Sequence, residues 1–124
     1  MPKGKSEPPK SRITFGKFEN VDLRVARVVR APLAEGTAAP SRVVDLDAGH
    51  LGTLTSVGQF ALIDEGELVG RNVVVVANLG PREIGSHVSE ALILGVRHPS
   101  SPPDQNQALP LSAPAEAEPG DLVF

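Results

Sequence analysis

Hydrogen-bonding side chains are concentrated in one connection of this sequence, between two apolar runs. The connection separates Val73–Leu79 from Ala91–Val96 and carries Asn78, a Gly-Pro-Arg at 80–82, Ser86, His87 and the pair Ser89-Glu90. A turn between two strands needs glycine or proline, but it does not need this set of amide, guanidinium, hydroxyl and imidazole groups. Such groups bind polar ligands, and an arginine pairs well with phosphates. The connection is therefore the first candidate for a binding site.

The same residues do not match a known catalytic arrangement. Ser86-His87 and Ser89-Glu90 place hydroxyl, imidazole and carboxylate groups close together, but no G-x-S-x-G turn surrounds either serine. Asp45, Asp47 and His50 could hold a metal, yet a solvated strand face beside a turn histidine explains them more simply. The sequence has no cysteine and no G-x-x-x-x-G-K phosphate loop. We therefore predict a binding protein without cofactor or metal, and not an enzyme.

The arginines are the second candidate feature, because four of them fall on the first two predicted strands. These are Arg24, Arg27, Arg30 and Arg42. Solvated barrel edges and a phosphate-binding groove explain them about equally well. Residues 1–20 hold five basic and two acidic side chains, which leaves seven basic and thirteen acidic ones in residues 21–124. An acidic domain is not an obvious polyanion binder, so any RNA binding has to depend on a local basic patch.

Valine-rich segments bounded by glycine and proline predict the strands that position these groups. The alternation of Val21–Leu33 slips at Ala26-Arg27, which predicts a bulged or coiled first strand. Residues 41–58 predict a hairpin that turns at Ala48–His50. A short helix or helical turn is predicted near Gln59–Ile63. The next two strands are "NVVVVANL", apolar on both faces, and "EALILGV", and "ALPLSA" is a short edge strand.

Five main strands with one helical element between the third and the fourth indicate an all-β, five-stranded OB-fold barrel with N- and C-terminal extensions. Residues 1–12 are rich in proline, lysine and serine and predict a disordered basic tail, so the domain covers residues 13–124. The sequence leaves open whether this tail takes part in binding. No apolar run has the length of a membrane span, and no signal peptide is evident, so a cytoplasmic location is expected.

Both ends of the predicted domain are apolar, although chain ends are usually polar. The apolar residues are Ile13, Phe15 and Phe18 before the first strand, and Leu122, Val123 and Phe124 at the C-terminus. A second copy of the chain is the simplest cover for them, which predicts a two-fold homodimer through these six residues. The alternative is that both ends fold back onto their own barrel.

Three stretches carry a resemblance to a known family. The segment "VGRNVVVVANLGPREIGSHVSEALILG" resembles the signature of the tRNA-binding OB domain of stand-alone tRNA-binding proteins, methionyl-tRNA synthetases and phenylalanyl-tRNA synthetase β chains. "VDLRVARVV" and "EPGDLV" are similar to its opening strand and closing turn. The start "ITFGKFENVDLRVARVV" resembles the CsaA type, a small homodimeric protein described as an export-related chaperone. The resemblance covers roughly residues 13–124.

The resemblance implies a non-catalytic tRNA-binding protein that contacts RNA phosphates and looped bases on the OB face. Arg82 would pair with a phosphate, Ser89 and Asn78 with a base edge or a 2′-hydroxyl, and Glu90 would contact RNA or buttress Arg82. The expected RNA-binding residues are Arg24, Arg42, Ser56, Asn78, Arg82, Ser86, His87, Ser89 and Glu90.

Departures from the family pattern predict that tRNA binding is weak. Glu83 and Val88 stand where relatives tend to be basic, and Leu92 stands where many carry methionine. Two alternatives stay open from the sequence. One is a peptide-binding, chaperone-like module in protein export, and the other is a diverged OB scaffold that binds a protein partner. No membrane partner is expected.

Overall fold

The computed structural model describes residues 6–124, in which the chain forms two short α-helices, one 3-10 turn and nine strands. In chain order these are α1 (Phe15–Glu19), β1 (Leu23–Arg30), β2 (Arg42–Asp47), the 3-10 turn (Gly49–Leu51), β3 (Thr53–Gly58), α2 (Glu65–Leu68), β4 (Asn72–Val76), β5 (Arg82–Ile84), β6 (His87–Ser89), β7 (Leu92–Ile93), β8 (Gly95–Arg97) and β9 (Ala108–Pro110). Within these residues, no helix has the length and apolarity needed to cross a bilayer.

Five antiparallel strands form the barrel in the order β3-β2-β1-β4-β7. All five residues of β4 are buried, as predicted for a strand that is covered on both sides. The core consists of aliphatic side chains and Phe60, with Leu46, Val73 and Val75 fully enclosed. Burial of each such side chain stabilises the fold by about 1.5–3 kcal/mol. The prediction of an OB-type barrel is confirmed.

The barrel closes between β3 and the residues at the end of β6. The backbone amides of Glu90 and Ala91 donate to the carbonyl of Thr55 at 2.8 and 3.3 Å. A side chain supplies the next bond, because the Val57 amide donates to Ser89 Oγ at 3.0 Å. We call this closure the β3 seam (residues 55–57 with 89–91). β7 extends the sheet from β4 by a pairing of two residues. The hydrogen bonds of the β3 seam therefore provide the closure on the other side.

The first strand bends as the phase slip predicts. Val25 and Ala26 are both buried, so the alternation breaks there, and the pairing of β1 with β2 shifts register between Val28 and Arg30. The bend lets β1 pair with β4 through Leu23–Arg27 and with β2 through its second half. The predicted β2–β3 hairpin is also confirmed, with the turn at residues 48–52.

The segment between β3 and β4 contains a turn followed by a short helix. Residues 59–63, where a short helix or helical turn was predicted, form turns, and the Ile63 amide donates to the Phe60 carbonyl at 3.3 Å. The helix is α2, which begins after Asp64. The carbonyls of Phe60 and Ile63 accept hydrogen bonds from the Arg42 guanidinium. Glu65 at the start of α2 accepts a hydrogen bond from the Ala31 amide at 2.7 Å, so these bonds fix the segment to the β1–β2 region.

The polar connection of residues 80–90 is not a simple loop, as the sequence suggested, but contains the β5–β6 hairpin. Its two-residue turn is Gly85-Ser86, and Gly85 has φ 61°. Glycine first is the pattern of a type II′ hairpin turn. The predicted strand "EALILGV" is likewise divided, into β7 on β4 and β8 on β9. The edge strand predicted in "ALPLSA" is confirmed by β9.

The C-terminal strap (residues 111–123) runs along the outside of β4 and β1. The Val74 amide donates to the Leu111 carbonyl at 3.0 Å, and the Val25 amide donates to the Asp121 carbonyl at 2.9 Å. Asn72 fixes the middle of the strap, because its side-chain amide donates to the carbonyls of Pro114 and Ala117. The strap therefore satisfies backbone groups on β1 and β4 that the barrel strands leave unpaired.

Candidate nucleic-acid interface

A cavity of about 570 Å³ lies between β3, the β5–β6 hairpin and the β7–β8 segment. This volume is typical of ligand-binding sites. Three basic residues line it, Lys10, Arg82 and Arg97, and no Asp or Glu is among the described residues that line it. The chain as a whole carries net −3. The cavity is therefore a locally positive surface on an acidic protein, which favours an anionic ligand.

Arg82 lies on β5, opposite Ser89 of β6, and its side chain is exposed. Arg82 and Ile84 both line the cavity, whereas Glu83 does not. Successive side chains of a strand point to opposite faces, so the charge of Glu83 is directed away from the cavity. Within residues 6–124, Arg82 forms no ion pair. Its guanidinium is available to a ligand.

The apolar part of the cavity is aliphatic. Ile84, Leu92 and Val96 line it, and Val96 is 59% exposed. Phe60 contributes to the wall but is buried, with its ring against Gly58. A Cβ at position 58 would lie 2.5 Å from Phe60 Cε2, so only glycine leaves room for the ring there. The described lining therefore offers a ligand aliphatic side chains and no exposed aromatic ring.

Arg42 does not belong to this surface, contrary to the sequence-based expectation. The residue is 7% exposed, and its guanidinium donates to the carbonyls of Ala31 at 2.7 Å, Ile63 at 2.8 Å and Phe60 at 3.2 Å. These carbonyls come from the β1–β2 loop and from the segment before α2. Arg42 therefore joins two loops inside the molecule, and its donors are occupied by protein groups.

Ser89 and Glu90 act at the β3 seam. Ser89 is buried, and its hydroxyl accepts from the Val57 amide and donates to the Ala91 carbonyl at 3.2 Å. The carboxylate of Glu90 accepts from the Thr55 amide at 3.4 Å. No ion pair joins Glu90 to Arg82 in the described chain, so the expected buttress is not present. Both side chains hold the hairpin against β3.

Arg24 and Asn78 lie away from the cavity. Arg24 donates to Asp22 at 2.7 Å and to the Gly120 carbonyl at 3.1 Å, which fixes it to the C-terminal strap. Asn78 accepts from the Asp22 amide at 2.9 Å and donates to the Asn20 carbonyl at 2.7 Å. The asparagine of the "ANLG" motif therefore anchors the link between α1 and β1.

Ser56, Ser86 and His87 are placed in three different ways. Ser56 lines the cavity from β3 but is buried. Ser86 is exposed at the hairpin turn, and His87 Nε2 lies 2.9 Å from the Glu35 carbonyl. That contact holds the hairpin tip on the β1–β2 loop, where Gly85 also packs against Gly36. Of the nine expected residues, Arg82 and Ser56 line the cavity.

Two basic cavity residues, Arg97 and Lys10, were not among the expected ones. Arg97 is half-buried and donates to the carbonyls of Gln105 and Pro102 at 2.9 Å, so it mainly shapes the loop after β8. Lys10 comes from the segment before α1, which the sequence assigned to a disordered tail of residues 1–12. Residues 1–5 of that tail lie outside the described residues. The charge of Lys10 was visible in the sequence, but its position beside the cavity was not.

The six residues expected at a dimer interface remain mostly exposed in the single chain. Phe15 is 72% and Phe124 102% exposed, and the rings of Phe15 and Phe18 lie 6.2 Å apart. The backbone of Val123 does fold onto the barrel, with its amide donating to the Leu23 carbonyl at 2.9 Å.

Comparison with known proteins gives the family. A family model described as "Putative tRNA binding domain" matches residues 23–122, from the start of β1 to the end of the strap. The chain belongs to this family. Methionine–tRNA ligases are similar in sequence: that of Thiobacillus denitrificans is 37% identical over 94% of this chain, and that of a Polaromonas species 36% over 69%. The chain spans 17% and 12% of their lengths, so it corresponds to one part of each.

Solved structures show the same fold. The chaperone CsaA of Bacillus anthracis is 25% identical, with a TM-score of 0.80 over 92% of this chain and 100% of that one. The CsaA chaperone of Picrophilus torridus is 24% identical, with a TM-score of 0.80 over 91% of this chain and 100% of that one. The resemblance read from the sequence, to a CsaA-type tRNA-binding OB domain, is confirmed.

Proposed function

We propose that this chain is a non-catalytic tRNA-binding protein of the CsaA type, and that RNA binds in the cavity beside the β5–β6 hairpin. The observation that carries the proposal is the cavity itself. It is lined by basic and aliphatic side chains without an acidic one, on a chain with net negative charge. The membership in a tRNA-binding family supports the same ligand.

In this proposal Arg82 pairs with a backbone phosphate, and the aliphatic side chains contact sugars or unstacked bases. A guanidinium presents a planar set of donors that matches a phosphate, and loops of RNA expose the bases that a narrow cavity can accept. Ile84 and Leu92 flank Arg82 on the cavity wall. Phosphate contacts give affinity with little sequence information, so weak and broadly tolerant binding is expected.

Ser89, Glu90 and His87 then have a supporting role. Ser89 and Glu90 fix the hairpin to β3, and His87 fixes its tip to the β1–β2 loop. A charged side chain that is held on a docked hairpin loses less entropy when it binds than one on a loose loop. The family motif "GPRE…SE" is therefore proposed to combine one contact residue, Arg82, with residues that hold it in place.

A salt series with purified tRNA tests the proposal. Few basic side chains face the cavity, so we expect about 3–5 phosphate contacts and a slope of log K against log salt of roughly −2 to −3.5. Fluorescence anisotropy with end-labelled tRNA measures the binding constant K at several concentrations between low and physiological salt, which gives the slope. Absence of binding at low salt, or binding that salt does not weaken, would contradict the proposal.

A peptide-binding, chaperone-like role is the second candidate, and the exposed aliphatic lining favours it. Ile84, Leu92 and Val96 would accept apolar side chains of an extended peptide, with Arg82 beside its acidic groups. Competition separates the two functions: a peptide ligand of this cavity should displace labelled tRNA. If peptides bind without displacing tRNA, they occupy another surface.

We also propose that the chain is a homodimer through its apolar ends. The exposed side chains of Leu122 and Phe124, and those of Phe15 and Phe18 with rings 6.2 Å apart, support this, because grouped apolar side chains at a surface mark interaction sites. Two cavities in one dimer would strengthen weak contacts if one RNA spans both. Light scattering at micromolar concentration should give twice 13.0 kDa, and Phe15→Ser with Phe18→Ser should give a monomer. A monomeric parent protein would refute this proposal.

A further inference from the structure

The segment before α1 contributes a basic residue to the cavity. Lys10 lines the cavity together with Arg82, although it lies outside residues 23–122 that match the family model. Lys10 is exposed and belongs to no helix or strand. The positive lining of the cavity is therefore not a property of the family domain alone, since part of it comes from the N-terminal segment of this chain.

Two of the three basic residues of the cavity, Lys10 and Arg82, differ from most arginines of the barrel in what they contact. Five arginines bind protein groups through their side chains: Arg24, Arg27, Arg30, Arg42 and Arg97. Lys10 and Arg82 have no such side-chain hydrogen bond or ion pair within residues 6–124. Two basic side chains thus face the same cavity without an acidic partner, and an anion there would be attracted to both.

The charge distribution along the chain explains why a basic residue beside the cavity matters for binding an anion. Residues 21–124 hold thirteen acidic and seven basic side chains, so the domain repels a polyanion at long range. Residues 1–20 hold five basic and two acidic side chains. The position of Lys10 beside the cavity brings positive charge from this segment to a cavity whose described lining contains no Asp or Glu.

We infer that the described segment before α1 takes part in the RNA site through Lys10, which contacts a phosphate of the same RNA that Arg82 holds. The inference rests on the proposed function and adds a contact that the matched family domain does not contain. Lysine suits this role, because its ammonium group acts as a compact charge that needs no fixed geometry.

A crosslinking experiment tests the position directly, because the chain has no cysteine and one introduced residue can be labelled uniquely. Lys10→Cys and Lys17→Cys are each labelled with an azidophenacyl group, mixed with radiolabelled tRNA and irradiated. Lys17 is the matched control, an exposed lysine on α1 that does not line the cavity. We expect a crosslink from position 10 that unlabelled tRNA competes away, and little from position 17. Equal crosslinking from both positions would overturn the inference.

A salt series then tests how much Lys10 contributes to the affinity for tRNA. Lys10→Gln should weaken tRNA binding at low salt about 3-fold and make the salt slope shallower by about 0.7, the value for one phosphate contact on single-stranded RNA. Lys10→Arg should retain both, and Lys17→Gln should change neither. If Arg82→Ala weakens binding but Lys10→Gln does not, the inference fails while the proposed function stands. If the parent protein binds no tRNA, both fail.

Discussion

Arg42 and Arg82 lie on neighbouring parts of the molecule and have opposite environments. Arg42, at the start of β2, is buried and donates to carbonyls of three residues from two loops. Arg82, at the start of β5, is exposed beside a cavity and has no acidic partner in the described chain. The difference shows that residue type does not decide whether a basic side chain holds the fold or meets a ligand. Burial and partners decide it.

The serines of the polar connection differ in the same way. Ser89 is buried and completes the β3 seam through two hydrogen bonds, whereas Ser86 is exposed at the hairpin turn three residues earlier. Polar groups at the seam therefore have protein partners, whereas Ser86 at the hairpin turn and Arg82 beside the cavity are exposed. The following substitutions separate the two regions by their effects on stability and on binding.

Arg42→Ala should have the largest effect on stability. The carbonyls of Ala31, Phe60 and Ile63 lose their donor, and each costs about 1–3 kcal/mol if it is left without a partner. We expect the free energy of unfolding to fall by at least about 3 kcal/mol. Urea denaturation followed by far-ultraviolet circular dichroism measures this, because the chain has no tryptophan or tyrosine to report by fluorescence.

Arg42→Lys is the companion variant for this prediction. Lysine keeps the charge but cannot present a planar fork to three carbonyls, so it should recover only a small part of the lost stability. If Arg42→Ala unfolds at nearly the same urea concentration as the parent, the buried arginine does not hold the two loops together.

Ser89→Ala should have the second largest effect. The Val57 amide loses its acceptor at the β3 seam, which costs about 1–3 kcal/mol for a buried donor without a partner. Ser86→Ala is the matched control, and as an exposed substitution it should change the free energy of unfolding by less than about 0.5 kcal/mol. Equal effects of the two substitutions in urea denaturation would show that the hydroxyl of Ser89 does not contribute to closure.

Gly85→Ala should loosen the hairpin without unfolding the barrel. At φ 61° an added Cβ is strained by about 1–2 kcal/mol, and it would also lie 2.6 Å from the Gly36 carbonyl oxygen. We expect faster amide hydrogen exchange in residues 82–89 and weaker tRNA binding, with the barrel amides protected as before. Gly66→Ala on α2 is the control, because nothing lies within 4 Å of its added Cβ and its φ is not positive. Unchanged exchange in the hairpin would contradict the docking of its tip.

Arg82→Ala should have the smallest effect on stability and a clear effect on binding. An exposed arginine without an ion pair contributes less than about 0.5 kcal/mol to folding. A lost phosphate contact should weaken tRNA binding by about 5-fold to 10-fold and make the salt slope shallower by about 0.7. Anisotropy and urea denaturation on the same preparation measure both. A lower stability with unchanged affinity would assign Arg82 to the fold instead.

The barrel could be predicted because its signals are local. Alternation of valines with polar residues gives the strands, and the slip near Ala26 gives the bend of β1, whatever the rest of the chain does. The β5–β6 hairpin also has a local signal in the sequence, its turn residues. Ile84-Gly85-Ser86-His87 has the glycine-first, two-residue turn that joins paired strands. The sequence therefore contains a signal for a hairpin in residues 80–90, where only a polar connection was predicted.

The site was predictable only in part, because its members are distant in sequence. Arg82 stood out by its place in the motif, but Lys10 lines the same cavity from 72 positions earlier in the chain. Arg42 looked like a phosphate ligand, since nothing near it in the sequence shows that the carbonyls of Phe60 and Ile63 fold around its guanidinium. Propensity and motif describe neighbours along the chain, and these partners are not neighbours.

By itself, the sequence determined the class of fold and the acidic charge of the domain, because composition and periodicity are properties of the chain alone. Its motifs carried the resemblance to the family. The tertiary structure decided which polar residues are enclosed and which remain open to a ligand. An arginine or a serine can donate equally well to a carbonyl or to a phosphate. The choice between them depends on whether a protein acceptor lies within hydrogen-bonding distance and whether water can reach the side chain, and only the folded chain fixes both.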